Sequence, residues 1–325
     1  MDEGRYRLRD LVDTDFAALA RIWTRVDPER PISEEEIRDQ FRYTDEPRFL
    51  RHRRSIVEVE SNTVVGSGSL WQTATAFDPN FAFAGVVVDP AHQHRGLGRR
   101  MFNDLEDAAR AHRLQGLWAG VRADDPRSVR FFEAAGFREK RRMWTSRLDV
   151  TEVPPDLPPR TPERWAADGI VFTTVREEGP DRPEVREALY RLSVDAMQDV
   201  PRIGGRLTST FEEFTRSVFR GAGYLPEAMF LARVGDRYVA FSLLFRHAAE
   251  PGVLHVLLTG THPSYRGRGL AGELKRRTIE FARRNDYRFI ETDNDSENER
   301  IWSINRQLGF RQFRTWIMGQ RELKR

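Results

Sequence analysis

Apolar and polar positions along this chain fall into short runs of period two and longer runs of period three to four, in an order that occurs twice. In the first half Tyr6–Leu11 alternates like a strand, and Asp13–Arg25 carries Phe16, Leu19 and Ile22 at helical spacing. Ser33 and Glu36 form a capping box for a helix holding Ile37 and Phe41. Strands are predicted at Ser55–Glu60, Thr63–Gln72 and Phe81–Val88, then a glycine loop and a helix with Met101, Leu105, Ala108 and Ala109 along one stripe. Gly116–Val121 predicts another strand and Arg127–Ala135 a short helix, and Gly136-Phe137 leads into a final strand pair.

The second half repeats that order. A strand at Ile170–Val175 precedes helices at Pro183–Gln198 and Phe211–Phe219, and strands follow at Met229–Val234, Tyr238–Arg246 and Val253–Thr261. A second glycine loop opens a helix with Leu270, Leu274 and Phe281 inward, then come strand Phe289–Thr292, helix Asn298–Leu308 and Gly309-Phe310. Gly96 and Gly269, Gly98 and Ala271, Gly136 and Gly309, and Phe137 and Phe310 are each separated by the same 173 residues. A single offset across loop, helix, strand and helix means duplicated domains rather than a solenoid.

Between the copies, Pro154, Pro155, Pro158, Pro159 and Pro162 favour extended, unpaired chain. The expected organisation is therefore a first domain over 1–150, a linker over 151–169 and a second domain over 170–325. The expected fold class is α/β, each unit a mixed β-sheet flanked by helices.

Composition narrows the chemistry. Hydrophobic residues make up 39% and charged residues 32% of the 325 positions, as in soluble globular domains. No apolar run approaches the roughly 20 residues of a spanning helix, and the opening MDEGRYRLRD is too charged for a secretory signal. A cytoplasmic protein without a membrane partner is expected. The sequence has no cysteine, which excludes disulfides, thiol nucleophiles and cysteine-ligated zinc. The net charge of +3 is the remainder of 53 basic and 50 acidic residues, so the basic isoelectric point gives little reason to expect a nucleic-acid partner. His92, His94 and His112 lack ligand spacing, and no metal site is expected.

The strongest candidate for chemistry is HPSYRGRGLA, His262 to Ala271, with its near copy DPAHQHRGLG, Asp89 to Gly98. Small residues at the mouth of a helix let main chain come close to an anionic ligand and leave several N–H groups pointing outward. Such a loop suits a pyrophosphate.

The motifs VVVDPAHQHRGLG with FFEAAGF, and TGTHPSYRGRGLA with TDNDSENERIWSINRQLGF, resemble the GNAT acyltransferase superfamily over about residues 5–150 and 170–322. The resemblance implies that Gln93, His94, Arg95, Gly96, Leu97 and Gly98, and in the second half Arg266, Gly267, Arg268, Gly269, Leu270 and Ala271, hold the pyrophosphate of acetyl-coenzyme A. It implies that Val86, Val87 and Val88, and Thr259, Gly260 and Thr261, offer main-chain groups to the pantetheine arm and one N–H to the thioester oxygen. Gly260 suits close approach of a ligand.

The halves differ where the family places its working side chains. A cofactor-contacting asparagine at the start of the last helix is matched by Asn298 in the second half and by Asp125 in the first, and either residue also serves as a helix cap. The position of the tyrosine that protonates the leaving thiolate holds Phe132 and Asn305. Phenylalanine donates no proton, and an amide donates only a hydrogen bond. Asn305 either faces the site or is an ordinary polar helix residue. A base position on the strand before the loop holds His255, against Ala82 in the first half, with Asp293 and Glu291 as competing candidates. The reading that follows is transfer of an acetyl group from acetyl-coenzyme A to a primary amine of a small molecule or peptide, catalysed by the second half. The alternatives are a catalytically silent module that binds acyl-coenzyme A, and a nucleic-acid-associated protein.

Overall fold

A computed structural model describes residues 4–43, 46–154, 162–198, 200, 201, 203–205, 207–221, 223–247 and 250–323. The first half runs β1 (Tyr6–Asp10), α1 (Phe16–Val26), α2 (Glu34–Tyr43), β2 (Arg51–Glu58), β3 (Thr63–Trp71), β4 (Phe81–Val88), α3 (Leu97–Ala111), β5 (Gly116–Arg122), α4 (Pro126–Ala134) and β6 (Arg138–Asp149). A short helix, α5 (Pro162–Ala167), follows. The second half runs β7 (Ile170–Thr174), α6 (Val175–Glu178), α7 (Pro183–Met197), α8 (Phe211–Phe219), β8 (Met229–Val234), β9 (Arg237–Arg246), β10 (Val253–Thr261), α9 (Leu270–Arg284), β11 (Phe289–Asp295), α10 (Glu299–Gln307) and β12 (Arg311–Glu322). Ser33 and Glu36 exchange the two hydrogen bonds of the expected capping box at α2, at 3.1 and 2.8 Å.

Among the described residues, twelve strands join one mixed sheet in the order β1-β2-β3-β4-β5-β12-β6-β11-β10-β9-β8-β7. β4 pairs with β5, and β10 with β11, in parallel; the remaining pairings are antiparallel. α3, α4, α9 and α10 cover one face, and α1, α2, α7 and α8 the other.

The order contains an exchange. β6, which ends the first half, pairs with β11 of the second, and β12, which ends the chain, pairs with β5 of the first. The cores follow the strands. Ile317 of β12 and Leu323 beyond it pack with Met101, Leu105 and Leu117, while Leu148 of β6 and the adjacent Val150 and Val153 pack with Leu254, Ile279 and Ile290. Each such buried side chain contributes about 1.5–3 kcal/mol, so each half's sheet is completed by a strand from the other.

Two expectations are corrected here. The segment after Gly136-Phe137 is one twelve-residue strand, β6, rather than a strand pair. Its length lets it lie between β12 and β11 at once. The segment expected to be an extended linker contains α5, with Pro162 in its first turn, where a missing N–H costs little. Trp165 of this helix is buried against Leu270 and Leu274, and burial of that ring holds the segment down. Pro155, Pro158 and Pro159 lie outside the described residues.

Candidate active site

Each glycine loop leaves its strand in the same way. Arg266 Nε donates to the Thr261 carbonyl at 3.4 Å, and Gln93 Nε2 to the Val88 carbonyl at 3.0 Å. Gly269 and Gly96 then cap α9 and α3 with φ of +78° in both, a left-handed conformation that glycine adopts without penalty. Two residues earlier the loops differ: Gly267 has φ of +77°, and its counterpart His94 takes φ of +61° with a β-carbon present. That conformation costs His94 about 1 kcal/mol or more.

The parallel strands of the second half pair only from Val253 to Val256 and then part. A bulge between Val256 and Leu258 turns β10 away from β11. The opening continues into a cleft of about 750 Å³ lined by Thr259, Gly260, Thr261, Tyr265, Arg266, Gly267, the first turn of α9 from Gly269 to Gly272, and Asn298, Arg300, Ile301 and Ile304. The N–H groups of α9's first turn have no partner within the helix and carry the positive end of its dipole, so an anion is favoured there.

Arg300, Tyr265 and Ile304 were not legible as site residues. Arg300 stands two positions after Asn298, and a cation so placed was the available signal. Arg268 is not part of the cleft wall, because its guanidinium pairs with Asp168 at 2.7 Å. Its carbonyl accepts from Trp165 Nε1 at 2.9 Å, so α5 braces the loop from behind. A β-carbon on Gly260 would lie 2.7 Å from both Ala196 and Phe241. The glycine is therefore needed for α7 to cross the strand, whatever else approaches it.

His255 stands on the α7 side of β10, beside Glu291 on β11. Three carboxylates, Glu291, Asp293 and Asp295, occupy alternate positions of β11, and the exchanged strand β6 supplies a partner to each. Arg147 Nε donates to Glu291 at 2.8 Å, Thr145 Oγ1 to Asp293 at 2.7 Å, and Arg141 to Asp295 at 2.7 Å. Asp293 alone of the three has a neutral donor. Its other oxygen lies 3.6 Å from His255 Nε2, and its side chain is 50% exposed. Burial pushes the His255 imidazole below its ordinary pKa, Asp293 pulls it back, and the positive charge of Arg30 adds to the lowering. The net direction is downward, which favours the neutral imidazole, the form that accepts a proton.

Asn305 does not face the cleft. It is fully buried, and its Nδ2 donates to Asn294 Oδ1 at 2.6 Å, while Asn294 Nδ2 donates to Ser146 of β6 at 2.8 Å. That chain of amides ties α10 to β11 and β6 and leaves Asn305 no path to a leaving group. Asn298 and Asp125 both cap their helices: Asn298 Oδ1 accepts from Ile301 N at 3.5 Å, and Asp125 from Arg127 N at 3.0 Å. Asn298 also lines the cleft.

The first half carries none of this chemistry at the matching place. Counted back from the strand ends at Val88 and Thr261, and allowing for the extra residue of the β10 bulge, the counterpart of His255 is Phe83 rather than Ala82. Ala82 points to the α3 side, into the core. Phe83 packs between Trp71 and Trp118, with ring centroids 5.6 and 5.2 Å apart. Trp118 and Gly120 stand where Glu291 and Asp293 stand, and Gln320 and Met318 of β12 replace Arg147 and Thr145. Gly204, from the segment between α7 and α8, closes over Trp118 so tightly that a β-carbon would come within 2.3 Å of the ring.

Comparison with known proteins agrees with this duplication. The model of the acetyltransferase (GNAT) family matches twice, over residues 16–137 and 187–310. A mycothiol acetyltransferase of Thermomonospora curvata is 26% identical over 315 residues, covering 96% of this chain and 95% of its own. One of Rhodococcus erythropolis is 26% identical over 266 residues, 80% and 82% of the two chains. Among solved structures, a tandem GNAT protein from the clavulanic acid biosynthesis pathway superposes with a TM-score of 0.74 at 19% identity over 98% of both chains.

Proposed function

The chain belongs to the acetyltransferase (GNAT) family, and from that premise we propose that its second half transfers an acetyl group from acetyl-coenzyme A to a primary amine of a small molecule or peptide. The observation that supports this reading is a cleft favouring an anion at the end of β10, with His255 earlier on the same strand and paired with Asp293 where β10 and β11 part. Acetyl-coenzyme A supplies an acyl carbonyl activated as a thioester. The loop from Arg266 to Ala271 and the first turn of α9 hold its pyrophosphate, and Arg300 and Arg266 add positive charge at the cleft wall. Main-chain N–H groups freed by the bulge polarise the carbonyl.

Asp293 draws in the acceptor as its ammonium, and His255 takes the proton that nitrogen must lose before it attacks. The new C–N bond then forms as the C–S bond breaks, and the nitrogen's second surplus proton passes through water to the departing thiolate, since Asn305 is buried away from the cleft and no side-chain acid stands there. Holding the two reactants in line supplies much of the rate. The relatives named mycothiol acetyltransferase, which match over most of their length, support a small-molecule amine.

Replacing His255 by alanine tests the base. A loss of about 10² to 10⁴ in kcat/KM is expected, together with loss of the acidic limb of the pH profile. In the wild type that limb lies below the ordinary imidazole range, because the folded pKa is lowered and the neutral form persists to lower pH. An unchanged rate and profile would remove His255 from the mechanism.

A further inference from the structure

The face of the sheet that carries His255 is not built by the second half alone. The segment joining α1 to α2 crosses from the first half and is latched to the sheet by two arginines. Arg122 of β5 pairs with Asp27 at 2.8 Å, and the buried Arg314 of β12 reaches Asp27 at 3.5 Å and Glu29 at 3.4 Å. Arg314 is register partner to Thr145, the residue that donates to Asp293. Farther along, Glu36 at the start of α2 meets His247 of the second half at 3.5 Å. The segment between these two attachments carries Arg30, whose charge bears on His255.

Charge matching around His255 leaves two groups over. Glu291 and Glu250 share Arg147, at 2.5 and 3.8 Å. Asp27 and Glu29 are answered by Arg122 and Arg314, and Glu36 by the α2 cap and His247. Among the described residues, Asp293 is met by a hydroxyl and the imidazole alone. Arg30 is half-buried, and among the described residues its guanidinium makes no hydrogen bond or ion pair. Asp293 beside the imidazole, and Arg30 on the segment pinned at one end to Arg314 next to Thr145 and at the other to His247, are therefore left with their charges unspent.

We propose that the acceptor is an amine that also carries a carboxylate, its ammonium held by Asp293 and its carboxylate by Arg30. This rests on the acetyl transfer proposed above and adds the acceptor's class. A planar guanidinium receives a carboxylate through two parallel hydrogen bonds, and a site with one charge of each sign favours amines that carry the second group, because they alone match the half-buried Arg30. It also gives the first half a part in the reaction: Arg30 reads the acceptor while the second half performs the chemistry.

The test uses the full chain, acetyl-coenzyme A, and α-, β- and γ-amino acids, each paired with its carboxamide, with thiol release as the readout. The wild type is expected to prefer the acid over the amide by about tenfold or more in kcat/KM for at least one spacing. In Arg30→Ala that ratio falls to near one, Arg30→Lys recovers part of it, and Arg30→Glu reverses it, with thermal melts confirming that each variant is folded. A wild-type ratio near one, or a ratio that survives Arg30→Ala, overturns the proposal and leaves acetyl transfer standing. No turnover of any amine overturns both.

Discussion

The two halves place the same loop at the end of the same strand, yet the sheet beside the loop is aromatic in one and ionic in the other. Phe83, Trp118 and Gly120 in the first half stand where His255, Glu291 and Asp293 stand in the second. A ring stack and an imidazole among carboxylates are different investments. Trp71, Phe83 and Trp118 gain dispersion and burial, and they give Gly204 of the other half a surface to close on. The ionic set desolvates an imidazole, which costs stability, and on the proposed reading that imidazole takes the acceptor's proton. The glycine loop is therefore common to both halves, and the halves differ in the residues on the strands beside it.

The same contrast recurs on the opposite face. Phe102 of α3 sits among Phe131 and Phe137, and its counterpart in α9 is Lys275, which is fully buried. Among the described residues, Lys275 Nζ has no hydrogen-bond partner. It lies 5.4 Å from the centre of the Phe310 ring. Burial pushes its pKa down to about 7. Because the folded value lies below the unfolded one, the unfolded chain binds more protons between about pH 7 and 10.5, and stability rises with pH across that window. Below pH 7 the cost is complete, about 3–5 kcal/mol. Lys275→Met is expected to raise the unfolding free energy by that order at pH 6, with the gain shrinking towards pH 10, as read by denaturant titration at several pH values. A pH-independent difference would mean that the ammonium is not desolvated.

The aromatic face gives a smaller effect of opposite sign. Trp118→Ala should cost about 3 kcal/mol in stability by opening a cavity beneath Gly204, while kcat of the folded protein stays within about threefold. A loss of activity much larger than the loss of stability would show that the first half's face takes part in turnover.

How much of this was legible in the sequence depends on whether a feature is local. The loops, Gly-Phe pairs, capping box and order of elements follow from spacing, and the structure has them. The β10 bulge adds one residue between His255 and the loop, so counting along the chain matched His255 to Ala82, while pairing across β9 and β3 matches it to Phe83. The exchange of β6 and β12 was invisible because both strands follow the same Gly-Phe and alternate alike, and only packing decides which sheet each completes. Asn305 reads as a polar helix residue until Asn294 and Ser146 are seen to use its amide. Arg30 reads as one arginine among many until Arg314 and Arg122 fix the segment that carries it. An isolated half would lack its closing strand, which makes the whole chain the proper object for experiment.

The central claim is that the loop is present twice and used for catalysis once. Ala271→Glu and Gly98→Glu place the same negative charge at the mouth of α9 and of α3, where each would repel a pyrophosphate. Steady-state acetyl transfer by the full-length variants, each checked by thermal melt, compares the two directly. Ala271→Glu is expected to lower kcat/KM for acetyl-coenzyme A at least about 30-fold more than Gly98→Glu. Equal losses, or a larger loss from Gly98→Glu, would contradict the assignment of catalysis to the second half.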